Sequence, residues 1–205
     1  ADYAEGKNIT QLKEGAIDET GYAPDGSDLA SSASIYLGGY VSAIEAAVQN
    51  AIHLGAMAGD ELRLAAVPSV ASSAAATESK AGNAQLDVDV TALTVKDGVI
   101  TSCFIDSVQA KVAFDANGQI TSDTTAPVQT KNELGDSYGM VNFGGAKHEW
   151  NVQAANFAAY VTGKTAAEVS GIAVDAGTKP TDADLSAGVT IAIGGFQALI
   201  AKAMK

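Results

Sequence analysis

The two ends of this chain are versions of one module, and that duplication constrains the fold more than any other feature. Pro24 to Val48 aligns without a gap on Pro180 to Met204, sharing Asp28/Asp184, Leu29/Leu185, Ile35/Ile191, Gly38-Gly39/Gly194-Gly195, Ile44/Ile200 and Ala47/Ala203. After one insertion the match resumes upstream, where Tyr3, Gly6-Lys7 and Ile17-Asp18 face Tyr160, Gly163-Lys164 and Val174-Asp175. A repeat present at both ends with different material between reads as one tail followed by a complete head and tail. The expected organisation is a partial repeat over 1–53, a connection over 54–84 and a complete repeat over 85–205. The last could form one compact domain with 1–53.

Each tail carries an amphipathic helix. Tyr40, Ala43, Ile44, Ala47 and Val48 recur at helical spacing, as do Phe196, Leu199, Ile200, Ala203 and Met204. Ahead of each helix a Gly-Gly pair follows an alternating stretch, Ile35/Leu37 or Ile191/Ile193, read as a short strand. Thr165 with Glu168, and Asn8 with Gln11, have the spacing of a helix-capping box. Trp150, Ala154, Phe157, Ala158 and Val161 mark one face of a longer helix between them.

The middle of the chain reads as sheet. Leu86, Val88 and Val90 alternate with polar residues, then Leu93 and Val95 carry the pattern in the opposite phase, which predicts a bulge near Ala92. Asp97-Gly98 is a strong two-residue hairpin signal, because both positions of such a turn favour positive φ. A second long strand follows to Phe114, and Asn117-Gly118 predicts another turn leading into Ile120. Ser69 to Ala84 reads as an exposed connection, with room for a strand or helix near Leu62 to Val70. The fold class expected is α+β: an antiparallel β-meander with one wet face, packed by helices from the two tail modules.

With 12 basic against 24 acidic residues the net charge is −12. Such a field repels phosphate backbones and anionic lipid, which argues against nucleic acid as a partner. No apolar run approaches the ~20 residues of a membrane span, so direct insertion is not expected. The acidic, arginine-poor composition suits an exported protein, outside the cell or on its surface. Cys103 is the single cysteine, which leaves no internal disulfide and no thiolate metal cage, and it reads as a buried small hydrophobe.

Catalytic constellations are thin. His53 and His148 are the two imidazoles, and neither falls in a metal-ligand spacing. No phosphate loop, nucleophile elbow or paired-carboxylate motif is present, so no catalytic residue and no metal ligand is assigned. The Asp123 to Gly145 stretch, with its glycines, is a loop of the kind in which binding residues sit.

One spacing does carry chemistry. Asp184-Leu185-Ser186-Ala187-Gly188-Val189-Thr190 resembles the Asp-x-x-Ser/Thr-Gly-Ala-Thr signature of the bacterial FMN-binding domain family, and Asp28 to Ser34 is its counterpart in the first tail. The Val95 to Ile100 segment, Val-Lys-Asp-Gly-Val-Ile, resembles the family's sheet. Thr130 to Gly135, Thr-Lys-Asn-Glu-Leu-Gly, is similar to tandem versions in exported proteins of anaerobic gut bacteria. The resemblance implies FMN esterified through its phosphate to Thr190, with Gly188 and Asp184 beside it, and a weaker site at Ser34 and Asp28.

Both copies depart from the signature. Ala187 and Val189 replace the hydroxyl residue and alanine of the second, and Ser32 and Ser34 replace the glycine and acceptor threonine of the first. Without a flavin, the aspartates would cap short helices, Gly188 would permit a tight turn and the hydroxyls would satisfy local amides.

Two functions follow. One is an exported electron-transfer module carrying FMN, a carrier rather than a turnover enzyme. The other is a structural, self-assembling surface or fibre protein that has lost the flavin. In the second, the surplus tail, residues 1–50, joins subunits as a homo-oligomer or head-to-tail polymer.

Overall fold

Asp97 and Gly98 both take positive φ, 51° and 79°, and close the hairpin between the two longest strands of the protein. The computed structural model describes residues 1–205 and contains one sheet, of β1 (Glu61–Ser69), β2 (Gly82–Lys96) and β3 (Val99–Phe114). The strands are antiparallel neighbours in chain order. Seven helices accompany them: α1 (Ile9–Gly15), α2 (Gly38–Gln49), α3 (Lys131–Leu134), α4 (Trp150–Val161), α5 (Ala166–Ser170), α6 (Ala183–Gly188) and α7 (Gly194–Ala203). The class is α+β. The chain divides into two compact units, Ala1–His53 and Leu54–Lys205.

In the larger unit the inner sheet face supplies Leu93, Val95, Ile100, Cys103 and Ile105 to one core, with Ala65 and Val67 packed against it. Helix α4 covers β3 while α7 lies across β1 and β2. Helix α4 contributes Trp150, Ala154, Phe157, Ala158 and Val161, and α7 contributes Phe196, Leu199, Ile200 and Ala203. The ring of Phe196 meets Trp150 edge-on at 5.8 Å and Phe157 at 5.4 Å, so aromatic contacts join the two covering helices.

The free edge of β3 is closed by two loops. Asn132 donates its amide to the Asp106 carboxylate and its side chain to the Ile105 carbonyl, at 3.1 and 3.0 Å. Farther along, Ile100 donates to the Lys164 carbonyl and Gly163 donates to the Ile100 carbonyl, at 3.0 and 2.8 Å. An edge occupied in this way cannot template another strand.

The smaller unit has its own core of Leu12, Ala16 and Val41, with Tyr3, Ile9, Ile17, Leu29 and Ile44 against it. Several of its local contacts have counterparts in the C-terminal segment. Asn8 and Gln11 close a capping box on α1 as Thr165 and Glu168 do on α5. Lys7 lies over the Tyr3 ring at 4.0 Å, and Lys164 over Tyr160 at 4.4 Å.

Asp18 Oδ1 accepts from the Thr20 and Tyr22 amides, and Asp175 Oδ1 from those of Gly177 and Lys179. The positive-φ residues of these turns, Gly21 and Thr178, offer their carbonyls to Leu37 and Ile193, each at 2.8 Å.

Three expectations change. The Ile35–Leu37 and Ile191–Ile193 stretches are not strands: the Leu37 and Ile193 amides are taken by those turn carbonyls, and the Ile191 amide by a side chain. The pairing runs unbroken through Ala92, and the irregularity falls at Thr94/Val95. The apparent phase slip arises because both faces of β2 are apolar, with Val88, Val90 and Ala92 outward and Leu93 and Val95 inward, which also means the outer face is less wet than the alternation implied. The 54–84 stretch contributes the whole of β1, in the region where a further strand or helix had room.

Cys103 is buried on the inner face, and burial pushes its thiol up to about 11 while the Thr91 hydroxyl pulls slightly the other way. At pH 8 the reactive thiolate is therefore scarce in the folded chain. Iodoacetamide at that pH is expected to leave the native protein unmodified over a time in which urea-unfolded protein is fully alkylated, as read by mass spectrometry.

Candidate functional site

The segment resembling the flavin signature forms helix α6 and the turn after it. Asp182, not Asp184, caps α6, accepting from the Leu185 amide at 3.0 Å. Asp184 stands exposed in the first helical turn. Leu185 and Val189 point into the core, 3% and 0% exposed, so the valine that departs from the signature fills space.

Gly188 lies close to the exposed side chain of Asn156 and does not take a positive φ. Its carbonyl accepts from Asn156 Nδ2 at 3.0 Å, and a Cβ at that position would lie 2.9 Å from the same nitrogen. Lys147 Nζ donates to the Ala187 carbonyl at 3.0 Å.

The centre of the turn is Gln153, fully buried on α4. Its Oε1 accepts from the Thr190 amide at 2.7 Å, the Thr190 hydroxyl at 3.1 Å and the Ile191 amide at 3.1 Å. Its Nε2 donates to the His148 carbonyl at 2.8 Å. Every polar atom of this side chain is engaged, as a buried amide requires. Sequence reasoning missed Gln153, although there was a signal: one polar residue within the apolar stripe of Trp150, Ala154 and Phe157.

Thr190 is exposed as a residue, while its hydroxyl is held by the buried Gln153 Oε1. The turn amides that a phosphate would use are already paired with Gln153. Beside the turn, Asn156, Tyr160, Asp184, Leu185, Ala187 and Gly188 line a shallow groove of about 470 Å³. Its one charged lining group is the Asp184 carboxylate, which opposes a phosphate. Thr190, Gly188 and Asp184 are thus brought into one turn, around chemistry that suits holding the chain better than holding an anion.

Asp28 and Ser34 lie in the smaller unit and are both exposed. In that turn Ser31 and Ser32 donate their hydroxyls to the carbonyls of Asp28 and Leu29, and the Ala33 amide donates to Leu29 at 2.8 Å. The equivalent bond after α6, from Val189 to Leu185, is 2.9 Å.

Elsewhere in the chain, no group of three or more His, Cys, Asp or Glu is placed to hold a metal ion. No helix is long and apolar enough to cross a membrane. The Asp123–Gly145 stretch contains α3, and the amides of its Met140 and Val141 are taken by the carboxylate of Glu149 just beyond it, 5% exposed, a structural role. No protein-family model, curated protein or solved structure matches this chain.

Replacing Gln153 with Leu leaves two turn amides without a partner and is expected to cost about 2–3 kcal/mol in urea unfolding. Thr190→Ala keeps both amides paired and should cost less than about 1 kcal/mol. Equal stability of Gln153→Leu and the parent protein would refute the clamp.

Proposed function

We propose that this protein is a non-catalytic, self-assembling structural module of the cell surface or extracellular space, built from a duplicated flavin-domain-like tail. One observation carries the reading. Helix α7 buries Phe196, Leu199 and Ala203, whereas their counterparts on α2, Tyr40, Ala43 and Ala47, are exposed, Tyr40 by 61%.

The two helices share features of how each is entered and held. Each begins with Gly-Gly after a residue bonded to the preceding turn, and each packs a second face on its capped helix. Helix α2 does so with Val41 on α1, and α7 with Gln197, which donates to the Val169 and Ile172 carbonyls at the end of α5. What α2 lacks within its own unit is a sheet. Subunits joined through residues 1–50, as a homo-oligomer or head-to-tail polymer, would supply one.

A second reading, electron carriage by FMN esterified to Thr190, is favoured by the exposure of that threonine. The engaged amides, the neighbouring Asp184 and the shallow groove argue for the structural role of the same turn.

Purified protein is expected to be colourless, with no FMN mass increment on the peptide carrying Thr190. Light scattering should give a mass that rises with concentration, and Tyr40→Glu should hold the mass at that of one chain. Yellow, monomeric protein with a flavin on Thr190 would replace this reading with the electron-transfer one.

A further inference from the structure

The outer face of the sheet presents one continuous apolar row. Leu64 pairs with Ala92 and Ala92 with Phe104, so the three side chains stand side by side across β1, β2 and β3. Leu62, two residues along β1, shares the face, as do Ala66 and its partner Val90. Leu62, Leu64 and Phe104 are 64%, 70% and 40% exposed. Asp106, which pairs with Val90 on this face, is 9% exposed with its carboxylate engaged by the Asn132 amide. The row of Leu64, Ala92 and Phe104 itself thus carries no charge, in a protein whose net charge is −12.

The α2 face is its complement in kind and extent. Tyr40, Ala43, Ala47 and Val48 form a charge-free stripe, and the helix's one acid, Glu45, is turned aside into a 2.6 Å ion pair with Lys13. By position this stripe corresponds to the one that α7 lays on β1 and β2. The inner sheet face is filled by α4 and α7, so the outer face is the remaining apolar sheet surface of the chain.

Resting on the self-assembly reading, we infer that the α2 stripe of one copy docks on the outer sheet face of a second copy, around Leu62, Leu64, Ala92 and Phe104. The contact is heterologous, so every copy retains a free tail or a free sheet until a ring closes or a chain extends. A 12-residue helix on three strands buries on the order of 1,000 Å² in total, the low end of specific interfaces, so assembly depends on concentration. Because two strongly acidic chains approach through a neutral patch, added salt should strengthen the contact by screening their repulsion.

Complementation of full-length variants tests the pairing. Tyr40→Glu removes the donor and Leu64→Glu the acceptor. Each should weaken association by about tenfold or more in light scattering, with circular dichroism unchanged. Mixed, they should form a one-to-one heterodimer and nothing larger, because the mixture holds one intact tail for each intact sheet face.

Leu62→Glu reports on the same face should Leu64→Glu disturb folding. Full assembly by both sheet variants, with Tyr40→Glu inactive, would overturn the docking surface and leave the assembly reading standing. A mixture that stays monomeric would overturn the pairing. Wild-type protein that is monomeric at every concentration would overturn both.

Discussion

The larger unit depends on burying α7 and α4 together against the inner face of three strands. Leu93, Ile100, Phe157, Leu199 and Ile200 are all fully buried there, and the loss of any one would leave a cavity costing a few kcal/mol. The rest of the unit serves that layer. The Asp97-Gly98 turn sets the strand register, the Asn132 and Gly163 loops close the β3 edge, and Gln153 fixes the chain where it enters α7.

The turn resembling a flavin site is best understood through the same layer. A buried amide side chain gathers three donors at the point where the backbone reverses, which is how a core tolerates a polar segment passing its edge. A phosphate at Thr190 would have to displace that acceptor or do without the turn amides. Asp184 in the adjoining groove adds a negative charge to the same disadvantage. The exposed threonine is what remains of the chemistry that the sequence pattern suggests.

Much of this was legible in the residues. The capping boxes at Asn8 and Thr165, the Asp97-Gly98 hairpin and the three long helices follow from local rules, because a cap or a two-residue turn is satisfied by atoms a few positions away. The stretches before α2 and α7 were misread as strands because alternation at Ile191 and Ile193 looks the same whether the amides bond to a neighbouring strand or to Thr178 and Gln153. Strand β1 was visible only as room within a connection, since its identity comes from pairing with β2. The role of Gln153 was invisible because the groups it binds lie nearly forty residues away.

By itself the sequence determined the α+β class, the capped helices and the position of the central hairpin, all set by short-range hydrogen bonding and apolar periodicity. Only the tertiary structure decided which apolar stripes find a partner. Periodicity marks a face that must leave water, but Tyr40 and Phe196 carry the same mark. Burial depends on whether a sheet stands opposite, and that is a property of long-range packing.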